Sequence, residues 1–172
     1  WLIHLADGSV HVYGHSPNAR LQHVNGTSTQ VAEWFLEESV AANGEHVLYE
    51  FITENDVALD TLTGPAANAW QGRDSSNHRY LQRARYGNLT GDRVPFILQP
   101  QVVPVWLFDL VFDYGDSDTS LTSKPLYPRT PAAHWPLRAD PVSNYRYGFE
   151  DRTLRLCHQV LMFHWCADGP DN

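Results

Sequence analysis

The side chains best placed by type and spacing for chemistry are carboxylates. Asp109 and Asp113 sit four residues apart in the β-prone run VWLFDLVFDYG. On one strand they share a face, roughly 13 Å apart, beyond the separation at which two carboxyls flank a glycosidic bond. They read as the solvated acidic face of a half-buried strand. Glu37 and Glu38 are adjacent, so a strand points them to opposite faces, where they cannot work on one bond. A denser knot joins Trp135, Arg138 and Asp140 to Asn144, Tyr145 and Arg146. Aromatic faces with polar edges suit a sugar site, but the favoured reading is structural, a loop pinned by a buried bidentate Arg138–Asp140 pair. Asp109 with Asp113 or Asp140 is all that recommends a hydrolase. The chain has no GxSxG elbow, no phosphate-cradling glycine loop and no HExxH pair. Nine scattered histidines and two cysteines lack zinc-site spacing. Cys157 and Cys166 read as packed, reduced thiols. No residue is assigned a catalytic, cofactor-binding or metal-binding role, and no cofactor is expected. Asn25-Gly26-Thr27 and Asn88-Leu89-Thr90 match the glycosylation acceptor pattern without further support.

Alternating β-prone runs must position these groups. WLIHLADGSVHVYG predicts a hairpin about a two-residue Asp7-Gly8 turn, and a second hairpin turns at Asn43-Gly44. Trp34, Leu36 and Glu38 lead into the second turn, and Val47, Tyr49 and Phe51 leave it. A helix over 31–41 is the weaker alternative. Residues 17–30 read as a polar loop, and 54–78 and 115–145 as long irregular excursions. YLQRARYG and VWLFDLVFDYG are further strands, separated by a proline-punctuated, edge-like run. The closing run RTLRLCHQVLMFHW is apolar on both faces towards its end and predicts one strand buried between two layers. The fold class is mainly β, with seven or so antiparallel strands. Trp34, Tyr49, Trp106, Phe108, Leu156, Val160 and Phe163 are the expected core.

The 172 residues suffice for one domain, and 42% hydrophobic content supports a packed core. Twenty acidic against twelve basic residues give a net charge of −8, which argues against a nucleic-acid partner. No apolar run approaches the ~20 residues needed to span a bilayer. Starting at Trp1 in strand-like sequence, the chain reads as a piece of a longer polypeptide.

The order DGSVHVYG, WFLEESVAANGEHVLYEF and RYLQRARYGN resembles the RHS/YD-type shell repeat. WLFDLVFDYGD with WPLRADPVSNYRYGFEDRTLRLCHQVLMFHW is similar to the B component of insecticidal Tc toxin complexes and to SpvB-type virulence proteins. The resemblance implies RHS-like hairpin strands over 1–88 and an SpvB-type β segment over 89–172, together part of one larger domain. It implies a secreted protein, cytoplasmic before release or after delivery, forming part of a hollow shell around a C-terminal cytotoxic effector. The implied partners are other segments of the same polypeptide, the Tc C component and the pore-forming A component. The family's ADP-ribosyltransferase lies at the far C-terminal end and carries ExE or QxE on one strand. No glutamate here has Glu or Gln two residues before it, so a non-enzymatic role is expected. An adhesion or carbohydrate-binding module built on Trp70, Trp135 and Tyr145 is the alternative.

Overall fold

The computed structural model describes residues 1–55, 59, 75–115 and 135–165. It is mainly β and antiparallel. The strands are β1 (Leu2–His4), β2 (Val10–Tyr13), β3 (Arg20–Asn25), β4 (Ser28–Trp34), β5 (Leu36–Val40), β6 (His46–Thr53), β7 (Arg79–Asn88), β8 (Trp106–Asp113), β9 (Val142–Asn144), β10 (Asp151–Thr153) and β11 (Gln159–His164). Seven form one sheet in the order β1-β2-β5-β6-β7-β8-β11, while β3-β4 and β9-β10 are separate two-stranded ribbons.

Both anticipated hairpins form, with a longer connection than expected. At the first, Gly8 N–H donates to Leu5 O and Leu5 N–H to Ser9 O, enclosing Ala6-Asp7-Gly8. At the second, Gly44 and Ala41 repeat the pattern around Ala42-Asn43-Gly44. Each is therefore a three-residue loop with glycine at positive φ, +85° for Gly8 and +84° for Gly44. A Cβ on Gly44 would lie 3.1 Å from Asp92 O and 3.2 Å from Asp92 N, both backbone atoms. Gly44→Val is accordingly expected to cost about 1–3 kcal/mol, from the forbidden φ together with this contact. Gly26, at φ +60° with nothing near its missing Cβ, separates the two effects. In chemical denaturation Gly44→Val should lose more than Gly26→Val; equal losses would remove the contact from the account.

Residues 17–30 are not a loop. A 3-10 turn at Pro17–Ala19 leads into β3, which pairs with β4 from Arg20↔Trp34 to Asn25↔Ser28 across Gly26-Thr27. The Asn25-Gly26 step that matched a glycosylation pattern is a hairpin turn. Residues 31–41 are strand, not helix, and one extended stretch serves two sheets. At Phe35, between β4 and β5, the chain leaves the ribbon for the large sheet, with Phe35 N–H donating to Ala19 O and Gly14 N–H to Phe35 O. The proline-punctuated run holds a 3-10 turn, Phe96–Leu98, rather than an edge strand.

The closing run is divided. Asp151–Thr153 pairs with β9 and Gln159–His164 with β8, on different sheets. Leu154 between them is fully buried, whereas Leu156 and Val160 are exposed and Phe163 is half-buried. The expected two-layer burial of this run is therefore wrong: the chain dives inward at Leu154–Arg155 and then emerges along a sheet edge. Of the other expected core residues, Trp106 is buried, Tyr49 and Phe108 are half-buried, and Trp34 is exposed against Trp1 in an edge-to-face pair. Val12, Leu21, Val40, Tyr80, Ala84, Val111, Trp135, Phe149 and Leu154 are buried as well. Within 54–78 and 115–145, residues 56–58, 60–74 and 116–134 lie outside the described residues; 142–144 of the second stretch is strand β9.

Candidate functional site

Arg155, between Leu154 and Leu156, is carried under the large sheet, where its side chain and that of Glu54 are completely buried. Its Nε donates to both Glu54 oxygens, at 3.1 and 2.9 Å, and Nη2 donates to Oε1. Nη1 donates to the Trp135 carbonyl, and the guanidinium lies 5.0 Å from the centre of the Trp135 ring. Tyr80 Oη donates to Glu54 Oε2 at 3.0 Å and accepts the Leu154 N–H at 2.9 Å. Burial, reinforced by the Glu54 charge, pushes the Tyr80 phenol far above its ordinary value. Trp135 meets Tyr80 edge-on at 5.6 Å, and Tyr114 flanks both rings. The cluster thus ties together the end of β6, the start of β7, the approach to β9 and the exit from β10. The carboxylate accepts charged and neutral donors from three directions, which suits a fixed ion pair rather than an acid or base exchanging protons with substrate.

A second buried carboxylate, Glu38 on β5, faces His46 across the Asn43-Gly44 hairpin, with Oε1 2.6 Å from Nδ1. Glu38 also accepts the N–H groups of Phe96 and Ile97, at 2.8 and 2.9 Å, so it holds the 3-10 turn against the sheet. His46 stacks on Phe96 at 4.0 Å, and its Nε2 lies 2.8 Å from Asp92 O. Asn88 completes this corner. Its side-chain oxygen accepts the His46 N–H, and its amide donates to Gly44 O and Thr90 O. The closing Asn of RYLQRARYGN is a structural clamp, which accounts for the residue without glycosylation. Nδ2, the atom that would carry a glycan, is engaged in both of those bonds.

A third group joins the two ribbons. Phe149 stacks on His23 at 5.3 Å, Arg146 and Tyr147 converge on Glu33, and Gln30 donates to Tyr147 O. Asp151 accepts from Asn144 and lies 2.7 Å from His78 Nδ1. Burial raises its carboxyl, but the His78 and Asn144 contacts outweigh that and hold it below the usual range.

The candidates read from spacing fare unevenly. Asp109 and Asp113 do share a strand face, but it is a buried one, 7% and 3% exposed, beside Val111. Trp165 Nε1 donates to Asp109; Gln159 and the Gly115 N–H donate to Asp113. They anchor β11 and the strand end rather than facing water. Arg138 and Asp140 make one contact of 3.0 Å, with Asp140 77% exposed, so the buried bidentate pin is not theirs. Arg155 and Glu54 make it instead. Trp135 is 1% exposed and cannot offer a ring to a sugar, whereas Tyr145 is exposed and Trp70 lies outside the described residues. Cys157 is exposed rather than packed, and Cys166 lies outside the described residues. Glu54, Arg155 and the Glu38–His46 pair escaped the reading by spacing. A charge isolated in LRL, and two polar residues diagonal across a predicted hairpin, were the available signals.

Glu38, His46, Tyr80, Asn88, Trp135 and Arg155 of these clusters lie in the long motifs at 34–51, 79–88 and 135–165, so those motif positions encode architecture, with Glu54 supplied from just outside them. The family model for the Salmonella virulence plasmid 65kDa B protein, SpvB, matches residues 1–166. The chain belongs to the SpvB family. It is 42% identical over 170 residues to the mono(ADP-ribosyl)transferase SpvB of Salmonella typhimurium, covering 98% of this chain and 27% of that protein. It thus spans about a quarter of the length of the curated SpvB proteins it matches. The N-terminal domain of effector protein SpvB from Salmonella typhimurium strain LT2 superposes with a TM-score of 0.80 and 39% identity, over 98% of this chain and 50% of that one. The Photorhabdus luminescens Tc holotoxin pore matches at TM-score 0.77 and 39% identity, over 95% of this chain and 7% of that one. The TcdB2-TccC3 crystal structure gives 0.76 and 41%, over 95% and 8%. The SpvB match is to the N-terminal domain of a chain named for its transferase activity. Among the described residues, no helix is long and apolar enough to cross a membrane.

Proposed function

We propose that this chain is a non-enzymatic structural segment of a secreted toxin component, part of an SpvB/RHS-like shell that encloses and helps deliver a C-terminal cytotoxic effector. The observation that carries the reading is the pair of structural similarities, to the SpvB N-terminal domain and to Tc assemblies, at about 40% identity over nearly the whole chain. The site chemistry supports it, because the buried carboxylates Glu38 and Glu54 are saturated by donors from their own fold. Residues 1–88 and 89–172 are two stretches of one larger domain, in keeping with β7–β8 pairing across their boundary. Its partners are then the rest of the parent polypeptide, a Tc-type C component and a pore-forming A component.

Limited proteolysis of the parent polypeptide, co-purified with its C component, tests this. An effector-sized fragment should survive protease with residues 1–165 present and be digested when they are deleted. Equal digestion of the effector in both samples would overturn the enclosing role.

A further inference from the structure

Among the described residues the sheet ends on β11, and its outer edge is unlike that of a finished sheet. Trp165 N–H donates to Leu107 O, and the register runs from Gln159↔Asp113 to His164↔Phe108. Odd-numbered residues of β11 therefore bond inward to β8, and the N–H and C=O groups of Val160, Met162 and His164 point away from the sheet. Edge strands normally carry a charge, a lysine, a proline or a bulge that blocks pairing with another chain. QVLMFH carries no charge, lysine or proline, and its one irregularity is at the start, where His158 N–H donates to the Asp113 O that faces Gln159; from Val160 to His164 the pairing with β8 is regular. Val160 is 52% exposed, Met162 61% and the following Trp165 55%. The opposite edge, β1, offers only three residues.

We infer that β11 receives a further strand, supplied by the half of the SpvB-type N-terminal domain that this chain does not span. This chain accounts for 50% of the solved SpvB domain, so a comparable length of polypeptide belongs to the same body. Covalent linkage gives that segment a high effective concentration at the edge, which a second copy of the chain lacks. The incoming strand pairs with the outward groups of Val160, Met162 and His164 and sets apolar side chains beside Val160 and Met162. The inference rests on the reading of this chain as a segment of a larger body.

Residue-resolved amide exchange on the full parent polypeptide tests it. The outward amides of Val160, Met162 and His164 should exchange at least about tenfold more slowly than an open edge allows, alongside the inward amides of Leu161 and Phe163. Exchange of the outward three at open-chain rates, with the inward two still protected, would overturn it. A benzophenone side chain at position 162 supplies a second readout. Crosslinks to a segment outside residues 1–172 of the same polypeptide support the inference, and crosslinks within those residues, or concentration-dependent crosslinks to a second copy, overturn it. Val160→Lys in the protein that carries benzophenone at 162, which leaves the β8 ladder intact, should abolish the intramolecular crosslink. A protected effector with an open β11 edge would sink this inference alone; a paired edge with a digested effector would sink the shell reading alone.

Discussion

Arg155→Met is expected to lower folding stability by about 3–5 kcal/mol, because it leaves the Glu54 carboxylate buried without its cation. Methionine fills much of the space of the arginine stem, so the loss reports charge and hydrogen bonding more than volume. Tyr80 and the Asn55 N–H still donate to Glu54, but neither offsets a full negative charge away from water. For a chain of this size the melting temperature should fall by roughly 6–20 °C. Glu54→Gln combined with Arg155→Met removes the stranded charge and should recover part of that loss. Thermal unfolding of the two variants decides the matter. A drop below about 2 °C for Arg155→Met would show that the pair contributes little, and failure of the double variant to recover would place the loss in packing around Trp135.

Glu38→Ala is expected to cost about 3–4 kcal/mol and to act locally as well as globally. It strips the partner from buried His46 Nδ1 and the acceptor from the buried Phe96 N–H and the part-buried Ile97 N–H, and polar groups orphaned away from water are costly. The segment from Asp92 to Leu98 should loosen first, since Glu38 holds the 3-10 turn against the sheet. Trp106, in edge-to-face contact with Phe96 at 5.8 Å, lies where that loosening begins. Amide exchange at Phe96 and Ile97 should accelerate ahead of exchange in β5 and β6. Glu38→Gln, which keeps one acceptor oxygen but turns an NH2 towards a donor, should fall between the parent and Glu38→Ala. Unchanged exchange at Phe96 and Ile97 in Glu38→Ala would dissociate the carboxylate from the turn.

The hairpins were legible because Asp-Gly and Asn-Gly act locally, and so was β8, whose alternation needs no partner to be recognised. What escaped was decided by distant partners. Leu21 and His23 sit in a polar stretch that reads as loop; pairing with β4 makes it strand, and His23 fixes it to the rest of the fold through Phe149 and Asn77. Asp109 and Asp113 look solvated by composition, and donors from Trp165 and Gln159 reverse that. Arg138–Asp140 was the plausible pin because the two are close in sequence, whereas Glu54 and Arg155 bond across a separation of 101 residues. The family motifs held one side of these arrangements, Arg155, Phe149, Asp109 and Asp113 among them, without exposing the physics, while Glu54 and His23 lie outside them.

That separation has a consequence for biosynthesis. At about 5–20 residues per second, Arg155 is polymerised roughly 5–20 s after Glu54. Throughout that interval the β6–β7 region holds a carboxylate whose counter-charge has yet to be made. Hairpins such as β5–β6 close within microseconds of emerging, so the nascent chain acquires its local pairs early and its central lock late. The interval is one in which ribosome-associated chaperones have a partly assembled sheet to shield, and a ribosome that stalls before the Arg155 codon releases a product that can never be locked.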